Sequence, residues 1–192
     1  MIGSMEDDRI YLETDRLILR RFTAEDADLL IELDSDPAVM RYLTGGVPTA
    51  PEVIRERYLP NVLAGYEKWD GKLGLLAAHE KDGGAFAGWF ILRPRPEGPL
   101  DEVELGYRLR RAAWGRGYAT EGSQALLRKA FTELGARLAW AETMFVNQGS
   151  RNVMEKLGMV HVKTFFPDLE PIEGSEHGEV RYEITAEQWA RR

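Results

Sequence analysis

The stretch "EVELGYRLRRAAWGRGYATEG" (Glu102–Gly122) decides how the chain is read. Its first eight residues are rich in strand formers. Its last residues open a segment in which Ala119, Leu126, Leu127, Ala130, Phe131 and Leu134 keep helical spacing up to a stop at Gly135. Between them stand Gly115 and Gly117. A strand, a glycine-rich turn and a helix start make a natural anion site. The first helical N–H groups have no partner in the helix, the dipole favours negative charge there, and glycine lets a ligand approach the backbone. The same residues also suit a tight turn kept for geometry alone.

Outward from this turn the chain alternates. Strands are expected at 16–22, 73–80, 85–93, 102–109, 137–144, 159–166 and 180–184. "KDGG" reads as a hairpin between the second and third, and "PRPEGP" as a loop between the third and fourth. Thr23, followed by Asp26, caps an amphipathic helix, and "AVMRYL" after Pro37 starts another. Thr49 is expected to cap a further helix that Pro60 interrupts or kinks. "SRNVMEKLG" (150–158) reads as a short helix, 167–179 as an acidic loop and "TAEQWARR" as a capped terminal turn. This order is mixed α/β, with an antiparallel first half and a βαβ-like second half.

Composition narrows the chemistry. Hydrophobic residues make up 44% of the 192, and charged residues 30%, as in a globular chain with a core of its own. The net charge of −7 disfavours nucleic acid and favours a cationic ligand. With no cysteine there is no thiol nucleophile, disulfide or thiolate metal site, which suits a reducing cytoplasm. No apolar run has membrane-spanning length. No phosphate-loop string G-x-x-x-x-G-K-[ST] and no G-x-S-x-G elbow occurs, and Thr120 stands where a dinucleotide fingerprint needs its third glycine. His79, His161 and His177 are scattered, so no metal is expected.

One pattern does fit. "WGRGYA" (Trp114–Ala119) resembles [QR]-x-x-G-x-[GA], the coenzyme A signature of the GNAT acyltransferases, with Gly117 and Ala119 in place and Trp114 where Gln or Arg is usual. "WGRGYATE" is similar to the ribosomal-protein N-acetyltransferase-like (RimJ/RimL-type) branch. So are "LETDRLILRRFTAEDADLL", "NQGSRNVMEKLGM" and "YEITAEQW", which carry the likeness from Leu12 to Trp189.

The resemblance implies an α/β (α+β) GNAT fold in a single domain over 1–192, with residues 1–9 as a flexible N-terminus. Its central mixed, mostly antiparallel twisted sheet has about seven strands and flanking helices, and strands 4 and 5 (102–109 and 137–144) splay apart. It implies acetyl-CoA as co-substrate, with the pantetheine arm added between those strands and held by the backbone of Tyr107, Arg108 and Leu109. Amides of Gly115, Arg116, Gly117, Tyr118, Ala119 and Thr120 then hold the pyrophosphate, while Arg110, Arg111 and Arg116 either meet phosphate charge or form a solvated basic turn. Asn147 reaches the cofactor or caps the helix that follows, and Asn152 is a further cofactor contact. Glu104 is the candidate base and Ser150 the candidate acid, because Met154 occupies the position where many relatives carry a tyrosine donor. Ser150 equally fits a helix cap. The implied activity is direct acetyl transfer to a primary amine, on a protein N-terminus or a small molecule. The alternative is a coenzyme A-binding sensor with the same fold. The expected partners are acetyl-CoA and an amine acceptor, for which the acidic loop suggests a cation, with no nucleic acid and no membrane, in a monomer or homodimer.

Overall fold

The computed structural model describes residues 9–94 and 98–192. Its strands are β1 (Ile10–Glu13), β2 (Leu17–Arg21), β3 (Gly74–Glu80), β4 (Phe86–Pro94), β5 (Glu102–Leu109), β6 (Leu138–Met144), β7 (Val160–Phe165) and β8 (Glu179–Thr185). They form one eight-stranded sheet in the order β1-β2-β3-β4-β5-β6-β8-β7. All neighbours are antiparallel except β5 and β6. The expected seven strands are all present. The eighth, β1, is a four-residue edge strand. All of the expected flexible N-terminus except Arg9 lies outside the described residues, as do residues 95–97 of the expected loop.

Helices cover both faces. On one lie α1 (Ala27–Ser35), α2 (Pro37–Thr44), and a continuous run of α3 (Pro51–Val53), a π-turn (Ile54–Tyr58) and α4 (Leu59–Lys68). On the other lie α5 (Tyr118–Thr132) and α6 (Gln148–Lys156); α7 (Ala186–Ala190) follows β8. Side-chain alternation divides the core accordingly. From β3 and β4, Leu75, Ala77, Trp89 and Ile91 pack with Leu30, Leu33, Ile54 and Leu59. Leu76, Ala78, Phe90 and Leu92 pack with Leu126, Leu127 and Met154. Buried on both faces, β3 and β4 read as continuous apolar runs. On β5, Val103 and Leu105 point into the second cluster, while Glu104 and Arg108 face α1.

Four local expectations are corrected. Thr49 does not cap the third helix: Ala50 stands at the N-cap, and the Thr49 hydroxyl donates to Asp34 Oδ2 at 2.7 Å. Pro60 does not interrupt the helix. A wide turn, closed by the Leu59 N–H on the Ile54 carbonyl, precedes it and absorbs the residue that has no N–H to give. The helix after β6 starts at Gln148, with Asn147 as its cap, so Ser150 lies inside it. The Thr23 N–H donates to Asp26 Oδ2 at 2.7 Å, but this capping box closes a 3-10 turn, Ala24–Asp26, that leads into α1, whose own N-cap is Asp26. Among the described residues no helix is long and apolar enough to cross a membrane.

Candidate active site

The parallel pair is brief. Glu102, Val103 and Glu104 stand opposite Leu138, Ala139 and Trp140, and pairing ends there. Beyond that point β5 continues to Leu109 along β4, and β6 continues to Met144 along β8. Each therefore turns a row of backbone amides and carbonyls toward the gap between them. Such a gap suits an extended amide-containing arm, which can pair with either edge as an added strand. The expected splay is thus present.

From Leu109 the chain turns through a short 3-10 segment, Arg111–Ala113. Trp114, the departure from the usual Gln or Arg, donates its indole N–H to the Leu109 carbonyl at 2.8 Å and ties the turn to the strand end. Gly115 and Gly117 both take left-handed conformations, φ +72° and +82°. Gly117 is the N-cap of α5 and brings no side-chain acceptor, so neither the cap nor the helix supplies a partner for the N–H groups of Tyr118, Ala119 and Thr120. At the next turn Gly122 lies so close to Phe90 that a Cβ there would stand 2.4 Å from the ring. The glycine lets α5 settle onto the sheet with its N-terminus beside the gap.

The arginines of this region are all paired to carboxylates. Arg110 holds Glu32, Arg111 holds Asp36 at 3.3 Å, and Arg116 donates to Glu80 Oε1 at 2.5 Å. The Arg116 bond holds the Glu80 carboxyl below its ordinary range and raises the guanidinium pKa in turn. The first two pairs wall a cleft of about 310 Å³ between α1 and the turn. What this turn presents to solvent is therefore backbone donors and a helix N-terminus rather than bare guanidinium charge.

Ser150 and Tyr107 meet across the gap. The Tyr107 hydroxyl lies 3.0 Å from Ser150 Oγ and 3.2 Å from the Ser150 carbonyl. Burial pushes the Tyr107 phenol up to about 12, and the hydrogen bond with Ser150 acts in the opposite direction. The tyrosine is therefore a neutral donor throughout the ordinary pH range. Asn147 accepts the Ser150 N–H at 3.2 Å and donates to Thr143 Oγ1 at 3.0 Å, so its cap role is filled. Asn152 accepts from Gln148 at 2.7 Å on an exposed surface, one turn further from the gap. Met154 is buried in the core.

Glu104 faces the other side of the sheet. Arg93, its register partner on β4, donates to it at 2.8 Å. Two residues along β5 from Gly106, Arg108 pairs with Asp34 at 2.5 Å and stacks 5.0 Å over Trp89. Ser150 and Glu104 thus flank the gap from opposite faces. The acidic loop is less bare than its sequence suggests: Glu173 pairs with Arg41 of α2 at 3.0 Å, and a groove of about 240 Å³ runs between them past Tyr42 and His177. Glu179 belongs to β8, not to the loop, and burial raises its carboxyl above the ordinary range. The sequence reading missed the Tyr107 hydroxyl, although alternation along β5 would have turned it toward α6. It also missed Arg16, Glu80 and Glu121 beside the glycine turn, for which no local spacing gives a signal.

Residues 16–160 match the family model described as Acetyltransferase (GNAT) domain. The FsC-acetyl coenzyme A-N(2)-transacetylase of Aspergillus fumigatus is 39% identical, over 94% of this chain and 78% of that protein. The uncharacterized protein YkkB of Bacillus subtilis is 34% identical over 84% of this chain and 91% of its own length. Among solved structures, the RimL ribosomal L7/L12 α-N-protein acetyltransferase in complex with coenzyme A superposes with a TM-score of 0.76 at 17% identity, covering 93% of this chain and 99% of that one. The spermidine N-acetyltransferase from Vibrio cholerae in complex with CoA and spermine gives 0.69 at 15% identity, covering 91% and 98%. These last two likenesses speak for the fold alone. On the domain match and the shared sequence, the chain belongs to the GNAT acetyltransferases and is an enzyme that draws its acetyl group from acetyl-CoA.

Proposed function

We propose that this enzyme transfers the acetyl group directly to a primary amine in a ternary complex, as a RimJ/RimL-type member of its family. The observation that carries the reading is the parting of β5 from β6 after Glu104 and Trp140, with the Gly115–Gly117 turn at its mouth. Backbone groups of Tyr107, Arg108 and Leu109 would pair with the pantetheine and steady the oxyanion. Amides from Gly115 to Thr120 would receive the pyrophosphate, and Asn147 and Asn152 would border the arm. Glu104 would take the proton of the incoming ammonium, and Ser150 would return one to the departing thiolate. Atoms balance: the nitrogen forms the C–N bond and sheds two protons, one to Glu104 and one that replaces the proton Ser150 gives to sulfur, while the C–S bond breaks and free thiol leaves. The name of the Aspergillus fumigatus relative sets transfer on a nitrogen, N(2), which supports N-acetylation. Exposed Asp168, Glu170 and Glu176 in the loop before β8 favour a cationic acceptor, an attraction that weakens with salt.

The test is thiol release from acetyl-CoA against a panel of amines. Release with a primary amine, faster with cationic ones at low salt, is expected. Tight acetyl-CoA binding without release for any amine would make the chain a sensor instead. Gly117→Asp is expected to weaken acetyl-CoA binding by calorimetry, since the side chain is strained at φ +82° and its charge repels phosphate. Unchanged affinity in the folded variant would remove the turn from the donor site.

A further inference from the structure

Arg16, in the link between β1 and β2, reaches 100 residues along the chain to the glycine turn. Its Nη1 donates to the Arg116 carbonyl at 2.8 Å. Its Nε and Nη2 grip Glu121 Oε2 at 2.7 and 2.6 Å, and its backbone N–H donates to Glu121 Oε1 at 2.9 Å. Its guanidinium lies 4.7 Å over the Tyr118 ring, whose other approach is taken by Arg116 at 4.6 Å. The Tyr118 hydroxyl donates to Glu80 Oε2 at 3.0 Å. The carbonyl and N–H of one trans peptide point opposite ways. Holding the Arg116 carbonyl toward Arg16 therefore fixes the Gly117 N–H pointing away from it.

We propose that Arg16 is a positioning residue for the acetyl donor: through the Arg116 carbonyl and Glu121 it sets the amides of the glycine turn to face a pyrophosphate. This rests on reading that turn as the donor's phosphate site. Three of the five guanidinium N–H groups of Arg16 are taken by Glu121 and the Arg116 carbonyl, so the role assigned to it is to hold the turn. Its effect is confined to donors that carry a pyrophosphate, which a general loss of stability would not reproduce.

The experiment compares acetyl-CoA with S-acetylpantetheine, which ends before the pyrophosphate, in Arg16→Met and Arg16→Lys. Lysine keeps the charge beside Glu121 but cannot fork to both partners, and it decides the question if Arg16→Met does not fold. One misaligned amide–phosphate bond corresponds to about tenfold. KM for acetyl-CoA is expected to rise about that much in Arg16→Met and less in Arg16→Lys. In both, kcat with acetyl-CoA and kcat/KM for S-acetylpantetheine are expected to stay at parent values. A loss shared by both donors, or no change with either, overturns the proposal. Gly117→Asp run alongside separates the two readings. If it alone loses the preference for acetyl-CoA, the phosphate site stands and the Arg16 role falls. If no variant shifts the preference, the phosphate site falls as well.

Discussion

Glu104 sits at the last rung shared by β5 and β6 and gives one carboxylate oxygen to Arg93. A base must keep a lone pair for the substrate, and a carboxylate bound through one oxygen still has the other. Glu104→Gln keeps the shape and removes the basicity. In steady-state assays kcat is expected to fall by about 10²–10⁴ near neutral pH, and to recover in part at higher pH, where the amine arrives neutral. Wild-type turnover across pH would make Glu104 a partner of Arg93 and nothing more. Arg108 and Asp34 are a different case. A buried pair of this kind adds little net stability, yet loss of one member leaves the other charged and enclosed, at a cost of about 3–5 kcal/mol. Their value lies in fixing α1 against the strand that carries the site.

The element that aims the turn is α5, and Gly122 sets its distance from the sheet. Gly122→Ala puts a methyl against the Phe90 ring, which is fully buried. We expect a loss of about 1–3 kcal/mol in urea unfolding and, on the proposed reading of the turn, weaker acetyl-CoA binding, because the helix carries its N-terminal amides outward with it. Elements of this kind were legible in the sequence. The apolar runs of β3 and β4, the glycine turn and the spacing of α5 announce themselves within one or two residues of their observed bounds. β1 did not, because four residues, Ile10–Glu13, give too short a pattern at the edge of a sheet. Side-chain partners were the least legible. Arg16 and Glu121 are 105 residues apart, Arg110 and Glu32 78, and no spacing rule links them. The basic look of "RLRRAAWGR" left phosphate contact and a solvated turn both open, and no local signal announced that the fold pairs each of those arginines with a carboxylate from elsewhere.

At the scale of the molecule, two apolar layers on one sheet enclose tyrosines whose hydroxyls stay neutral. Burial lifts Tyr11, Tyr66 and Tyr107 to about 12 each, above the 10 of an exposed phenol. Below pH 10 all three are protonated whether the chain is folded or not, and their contribution is intact. Between pH 10 and 12 the unfolded chain loses those protons first, so stability falls as pH rises. The urea midpoint is expected to drop steeply over that window. A Tyr66→Phe variant, which also loses its bonds to Phe22 and Leu75, should start lower and drop less. Equal slopes would point to other groups as the alkaline trigger.

The short β5–β6 pairing also makes the sheet a ledger of solvent exposure. Alternate amides of residues 105–109 face the gap rather than β4, so in the apoenzyme their deuterium uptake should outpace that of the amides bonded to β4. A donor arm laid along that edge, as proposed above, would shield them and join the β1–β5 slab to the β6–β8 slab. Melting temperature then climbs with donor concentration, as binding to the folded state alone requires. On that reading the heat tolerance of the enzyme becomes a readout of how much acetyl-CoA surrounds it.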